Sequence, residues 1–366
     1  MKAQEILSKM TLEEKIYHLV QMTTMTYLKT DGTNIVTGPD STMKLDKEYI
    51  YDVGTLLNLV GAQTMIDAQT NFLNGSKRKV PPVFMQDVIH GHRTLYPINL
   101  GIAASFDPQL AHDVAKMAAK EASLDGVGVT FAPMVDLVRD PRWGRVMESS
   151  GEDPYLNSQM AKATVEGYQG DMGKYNIAAC VKHFAAYGAP EAGRDYNTVD
   201  ISERMFRDRY LPPYKSALDA GALSVMSSFN DFGCIPASGN EWLLKDLLRD
   251  ELGFKGFVVS DYHSVIEMIE HGVAADKKEA ALLSLKAYLD MEMVSGSYLN
   301  NGEALIEEGL IDIEAIDQMC RNILMVKYDL GLFDDPFRYG GVERFRKSIY
   351  KPEHLEVARS IARESM

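Results

Sequence analysis

The chain has 366 residues, 46% hydrophobic and 25% charged, an ordinary globular composition unlike that of a disordered or membrane-embedded protein. Its 52 acidic residues outweigh 38 basic ones, for a formal net charge of −14. Such a surface repels phosphate backbones and anionic lipid, so neither a nucleic-acid nor a membrane partner is expected, and a neutral small substrate suits it better.

The N-terminal stretch MKAQEILSKMTLEEK lacks the apolar core of a signal peptide. The chain as given is therefore expected in the cytoplasm, or in the periplasm or outside the cell if a leader was removed. Short apolar runs then recur: VGTLLNLV (53–60), PVFMQDV (82–88), GVTFAPMV (128–135), IAACVKHF (177–184), LSVMSSF (223–229), GFVVSDY (256–262) and AYLDMEM (287–293). Amphipathic stretches follow most of them. LAHDVAKMAAKEASLDG (110–126), EWLLKDLLRDELG (241–253) and AIDQMCRNILMVKYDLG (315–331) read as helices stopped by Gly126, Gly253 and Gly331. No run of about 18 apolar residues predicts a membrane-spanning helix.

Near-continuous apolar strands alternating with helices indicate a parallel sheet covered on both faces. Seven candidate strands, with an eighth unidentified, favour an α/β fold of the (β/α)₈, TIM-like barrel type. A doubly wound sheet is the competitor, but its GxGxxG phosphate turn is absent after the early strands, and no cofactor is expected. After FDDPFRYGG (333–341), residues 342–366 read as a linker and the start of a helix. The amphipathic pattern HLEVARSIARESM stops without a cap, suggesting a chain cut from something longer. The barrel domain is accordingly placed at 1–341.

The polar residues obey the barrel rule that chemistry collects at the C-terminal ends of strands. Asp87 ends one run, Lys182 and His183 end another, Ser227 and Ser228 a third, and Asp261 a fourth; Asp290 and Glu292 lie in LDMEM. A charge in an apolar strand is costly unless it is paired or faces a polar site. The loop APMVDLVRDPRWGRVMESSGEDP (132–154) adds three Arg, five carboxylates and Trp143.

Each of these has a structural alternative. Asp87 and Asp261 could be helix N-caps, and Lys182 with His183 a satisfied structural pair. Arg145 could neutralise Glu148 or Glu152, while Arg142 reads as structural. Glu292 suits a hydrogen-bonding role at the barrel rim, and Trp143 suits packing. His90 and His92 supply only two donors at i, i+2, too few for zinc, so no metal is expected. Cys180, Cys234 and Cys320 are far apart and read as buried free thiols in a reducing compartment.

The segments MQDVIHGHRT, DLVRDPRWGRVMESSGEDP, VKHFAAYG and GFVVSDY resemble the successive signatures of family 3 glycoside hydrolases, with MTLEEKI and LGLFDDPFR as flanking motifs. The resemblance covers essentially the whole chain, in order. It implies a barrel whose first strands can be irregular, and a retaining double displacement on a β-linked oligosaccharide or glucoside. It implies Asp261 as the nucleophile, with Asp87, Arg145, Lys182 and His183 binding the sugar at the cleaved bond. Tyr262 stands where Trp is common and would floor the sugar face. Met226, in MSSFN, stands where some members carry Tyr, so one hydroxyl contact near the nucleophile is in doubt. The family's acid/base Glu lies in a second α/β sandwich domain, and the His–Asp alternative needs a KHFPGHG-like loop where this chain has KHFAAYGAPEAGRDY. The resemblance thus implies a β-glucosidase-like enzyme, with β-xylosidase or exo-glucanase activity related, and a second domain or a homo-oligomer as its completing partner. A transglycosidase or phosphorylase on the same scaffold, and a non-catalytic sugar-binding barrel, stay open beside it.

Overall fold

The computed structural model describes residues 2–28, 43, 48–58 and 61–366. Eight strands pair in parallel: β1 (Val20–Thr23), β2 (Thr55–Leu57), β3 (Val83–Gln86), β4 (Val129–Thr130), β5 (Ala178–Phe184), β6 (Ser224–Ser227), β7 (Phe257–Val259) and β8 (Glu292–Met293). Helices separate most of them in the chain, the α/β organisation of the (β/α)₈ class. All seven apolar runs contain a strand, each shorter than its run or, for β5, nearly as long. Leu59 and Val60, in the first run, lie outside the described residues.

The chain divides into two compact units, residues 1–85 with 238–338, and residues 86–237 with 339–366. In the first unit β1 pairs with both β8 and β2, and β2 pairs with β3. A single bridge, Val259 to Met291, aligns β7 beside the entry to β8. Here lies the eighth strand, β1, which follows helix Leu12–His18 almost directly. Thr11 and Glu14 cap that helix reciprocally, so its start is fixed by its own side chains. The Gln21 amide of β1 is buried, donating to Thr55 Oγ1 at 2.7 Å, so its N–H is paired inside the sheet.

In the second unit β5 lies between β4 and β6, and all seven of its residues are buried. Helices Pro108–Leu124 and Pro154–Gln169 pack against each other there; Asp107 and Asp153 accept from first-turn amides and a proline follows each cap. Residues 342–366 form two helices, Val342–Ser348 and Pro352–Glu364. Ile361 joins a buried cluster with Tyr96, Ile102, Leu110, Val114 and Met160. His354 Nδ1 lies 2.8 Å from Glu121, both fully buried.

The three helices expected from the sequence run Pro108–Leu124, Trp242–Glu251 (wound π-wise) and Ile313–Asp329. Gly126, Gly253 and Gly331 follow them at φ 103°, 71° and 70°, the left-handed conformation in which a Cβ is disfavoured. One expectation is corrected. Cys180 and Cys320 are buried free thiols, but Cys234 is exposed, because it sits in the two-residue turn between Asp231–Phe232 and Ile235–Pro236.

Candidate active site

In the second unit, β5 delivers Lys182 and His183 side by side. Lys182 is 4% exposed, and its Nζ reaches Asp87 Oδ1 at 2.8 Å, just beyond the end of β3. The Asp87 side chain is itself 49% exposed, so this carboxylate has a face toward solvent. Arg145 forks onto Glu148, Nε to Oε1 at 2.7 Å and Nη2 to Oε2 at 2.9 Å, the neutralising pair foreseen for it. Burial works to raise the Glu148 carboxyl, but Arg145, with Lys182 and His183 adding, holds it below its ordinary range. Asp87, Arg145, Glu148, Lys182 and His183 therefore share one electrostatic neighbourhood. Arg142 stands apart, its guanidinium forked onto Asp140.

His183 is fixed by partners that the sequence did not announce. Its Nδ1 lies 2.7 Å from Asp136 Oδ2, which also accepts the His183 backbone N–H at 3.0 Å. Tyr214 Oη is 2.6 Å from Asp136 Oδ1 and 2.6 Å from the His183 carbonyl. Asp136 and Tyr214 are buried, and desolvation with the Asp136 charge raises the Tyr214 phenol well above its ordinary value. Asp136 thus orients an imidazole whose second nitrogen faces away from it. Tyr187 packs edge-on to His183 at 5.3 Å and carries the Arg145 guanidinium 5.7 Å from its ring centre. Trp143 is 1% exposed, packed on Tyr187, and donates its indole N–H to Asp195 at 2.8 Å; it is a packing residue. Met226 is buried in β6 at 2% exposure, presenting a thioether where a hydroxyl would need a partner.

In the first unit, Asp261 follows β7 after Ser260 and is 8% exposed. Its Oδ1 accepts the Tyr262 backbone N–H at 2.6 Å, while its carbonyl accepts from Ser264 N at 3.1 Å. The helix it leads into, Ser264–Glu270, has no side-chain cap bond at its N-cap, so the Asp261 carboxylate is not used as that cap. Tyr262 stacks on His263 with ring centres 4.6 Å apart. A second carboxyl belongs to this group: burial first, and the Asp261 charge second, push Glu267 up to about 7. Glu267 lay inside an apparently ordinary amphipathic helix, and only the preceding SDY marks its address. Glu292 accepts the N–H groups of Ser297 and Tyr298 at 2.8 and 3.0 Å, a structural task. Asp290 is buried against Arg249 and Asn322.

His90 Nδ1 faces the Tyr96 carbonyl and His92 Nε2 faces Asp125, so the two imidazoles serve different partners. Among the described residues no three His, Cys, Asp or Glu side chains converge as metal ligands. No helix of the described residues is long and apolar enough to cross a membrane.

Residues 11–326 match the profile described as "Glycosyl hydrolase family 3 N terminal domain". The chain is 43% identical to the periplasmic β-glucosidase of Salmonella typhimurium, aligning over 99% of itself and 46% of that protein. It is 35% identical to a β-xylosidase of Formosa agariphila, over 91% of itself and 48% of the relative. Among solved structures, a variant β-glucosidase of Listeria innocua in complex with laminaribiose superposes with a TM-score of 0.96 at 45% identity, covering 100% of this chain and 51% of that one. The chain spans about half the length of these relatives.

Proposed function

Since the chain belongs to glycosyl hydrolase family 3, we propose that it is the nucleophile-bearing part of a retaining β-glycosidase acting on terminal β-D-glucosyl groups. The observation that carries this reading is Asp261, a nearly buried carboxylate set immediately beyond a parallel strand and oriented by its neighbour's amide. Asp261 attacks the anomeric carbon and displaces the leaving group. Water then hydrolyses the covalent glycosyl-enzyme, returning the original anomeric configuration. Asp87, Arg145, Lys182 and His183 bind the terminal sugar through its hydroxyls, and Tyr262 offers an aromatic face to the ring. Met226 borders the same sugar through apolar contact.

Retention calls for a second carboxyl about 5–5.5 Å from the nucleophile, to protonate the leaving oxygen and then activate water. The relatives are about twice as long, which supports a second domain as the source of that acid/base. The relatives' names support glucosides first and xylosides second as substrates. The name of the Salmonella relative supports the periplasmic location over the cytoplasmic one.

The test is Asp261→Ala, which abolishes turnover of an aryl β-glucoside, together with Asp261→Gly, whose activity added azide restores. Undiminished turnover in the Ala variant refutes the assignment. Product analysis with phosphate or an acceptor sugar present separates hydrolysis from phosphorolysis and transfer. Glucose binding without turnover in the complete protein identifies a sugar-binding barrel instead.

A further inference from the structure

We infer that Tyr196, backed by Phe229, is a stacking platform for the leaving-group ring of the substrate, the second sugar or aryl ring beyond the terminal glucosyl. The inference rests on the glycosidase reading above. Tyr196 is 49% exposed, whereas the rings around it are buried: Phe229 at 7%, Trp143 at 1% and Tyr187 at 0%. It also holds φ 63°, a left-handed backbone that a tyrosine adopts only when its surroundings impose it.

What imposes it is on both sides of the residue. Asp195 takes the indole N–H of buried Trp143 at 2.8 Å. The loop is closed by Glu191 N–H to the Thr198 carbonyl at 3.0 Å and Asn197 N–H to the Arg194 carbonyl at 3.2 Å. The result is a half-exposed ring carried on a pinned loop. A ring already fixed in place adds little ordering cost when a ligand stacks on it.

The cluster of rings gives the platform its address. Tyr187 packs on His183 at 5.3 Å and lies under Arg145. Phe229 packs on Tyr187 at 5.7 Å, and Tyr196 packs on both, 4.7 Å from Phe229 and 6.3 Å from Tyr187, so the three rings form a triangle. Tyr196 therefore touches Tyr187 directly, the residue in contact with both the His183 imidazole and the Arg145 guanidinium. This places a half-exposed ring beside the residues assigned to the terminal sugar, where the next ring of the substrate can lie on it. The apolar C–H face of a pyranose, or an aryl ring, gains most on such a surface, while the Tyr196 hydroxyl adds a polar edge.

The experiment is calorimetric titration of glucose and of cellobiose or laminaribiose into the parent and into Tyr196 variants, all carrying Asp261→Ala to prevent turnover. In Tyr196→Ala the disaccharide Kd rises about tenfold, the worth of one good stacking contact, while the glucose Kd stays within about twofold. Tyr196→Phe keeps disaccharide affinity within about threefold, because the ring face remains. Equal weakening of both ligands, or no change in disaccharide affinity, overturns the platform. A parent that binds neither sugar overturns the glycosidase reading and the platform with it, whereas selective loss of the disaccharide supports both.

Discussion

Replacing Asp136 by Asn tests whether this buried carboxylate acts through His183. The exchange keeps the shape of the carboxylate and re-routes its hydrogen bonds, with one hydrogen of the new amide left without a named acceptor in this buried site. Tyr214 Oη lies 2.6 Å from two acceptors, Asp136 Oδ1 and the His183 carbonyl, yet has one hydrogen to give. In Asp136→Asn the new amide NH₂ donates to Tyr214 Oη, and Tyr214 donates to the carbonyl. The amide oxygen keeps both His183 donors, now 2.7 and 3.0 Å from Oδ2. What is lost is the negative charge behind the imidazole. A charge-assisted hydrogen bond contributes about 1.5–3 kcal/mol and a neutral one about 0.5–1.5, so the oriented imidazole loses roughly 1–2 kcal/mol of support. That corresponds to about a 5- to 30-fold fall in kcat/KM for an aryl β-glucoside, with a comparable loss in glucose affinity. The deciding measurement is a double-mutant cycle with His183→Ala. If Asp136 works through His183, the double variant is no more impaired than His183→Ala alone. Strictly additive losses, or an Asp136→Asn enzyme within twofold of the parent, refute the reasoning.

Three further outcomes are expected. Lys327 is fully buried; among the described residues its Nζ meets no hydrogen-bond acceptor, and burial drives its ammonium well below the ordinary lysine range. Lys327→Met keeps the stem and removes the unpaired amine, so chemical denaturation should show a gain of about 1–3 kcal/mol at pH 7. Because a depressed lysine makes the folded state more stable as pH climbs toward the free value of about 10.4, the variant also loses that alkaline rise; an unchanged stability profile contradicts the assignment. Glu267, raised to about 7, stabilises the fold at acid pH and loses that contribution as pH rises from the ordinary carboxylate range through about 7. Glu267→Gln should therefore gain in thermal midpoint relative to the parent at pH 8 and not at pH 4; a uniform shift at both pH values counts against it. Ile361, 2% exposed, anchors the last helix, and Ile361→Ala should cost about 2–4 kcal/mol of stability while leaving glucose affinity within about twofold.

What could be read in the sequence follows from which polar groups are unexplained in one dimension. Asp87, Lys182, His183 and Asp261 end apolar runs, where a charge has no local reason to be, and so they announce themselves. Asp136 does not: it sits among other carboxylates in MVDLVRD and is indistinguishable from a solvated loop residue until His183 and Tyr214, 47 and 78 residues away, arrive beside it. Strand β1 was hidden for the same reason. Gln21 and Thr55 look like surface residues, yet the Gln21 amide N–H is paired with the Thr55 hydroxyl inside the sheet, and the strand is four residues long directly after a helix. Tyr196 is the opposite case. Its type and its neighbours in GRDYNTVD suggest an ordinary loop, and only its place beside Phe229 and Tyr187, next to His183, separates it from one. Mutual satisfaction of polar groups erases their signal from a sequence, because each looks solvated until its partner is placed. The residues that position a reactive group are therefore harder to find than the group itself. A charge at the end of an apolar run stands out in the chain because nothing local explains it; the residue that steadies a neighbour does so by being fully satisfied.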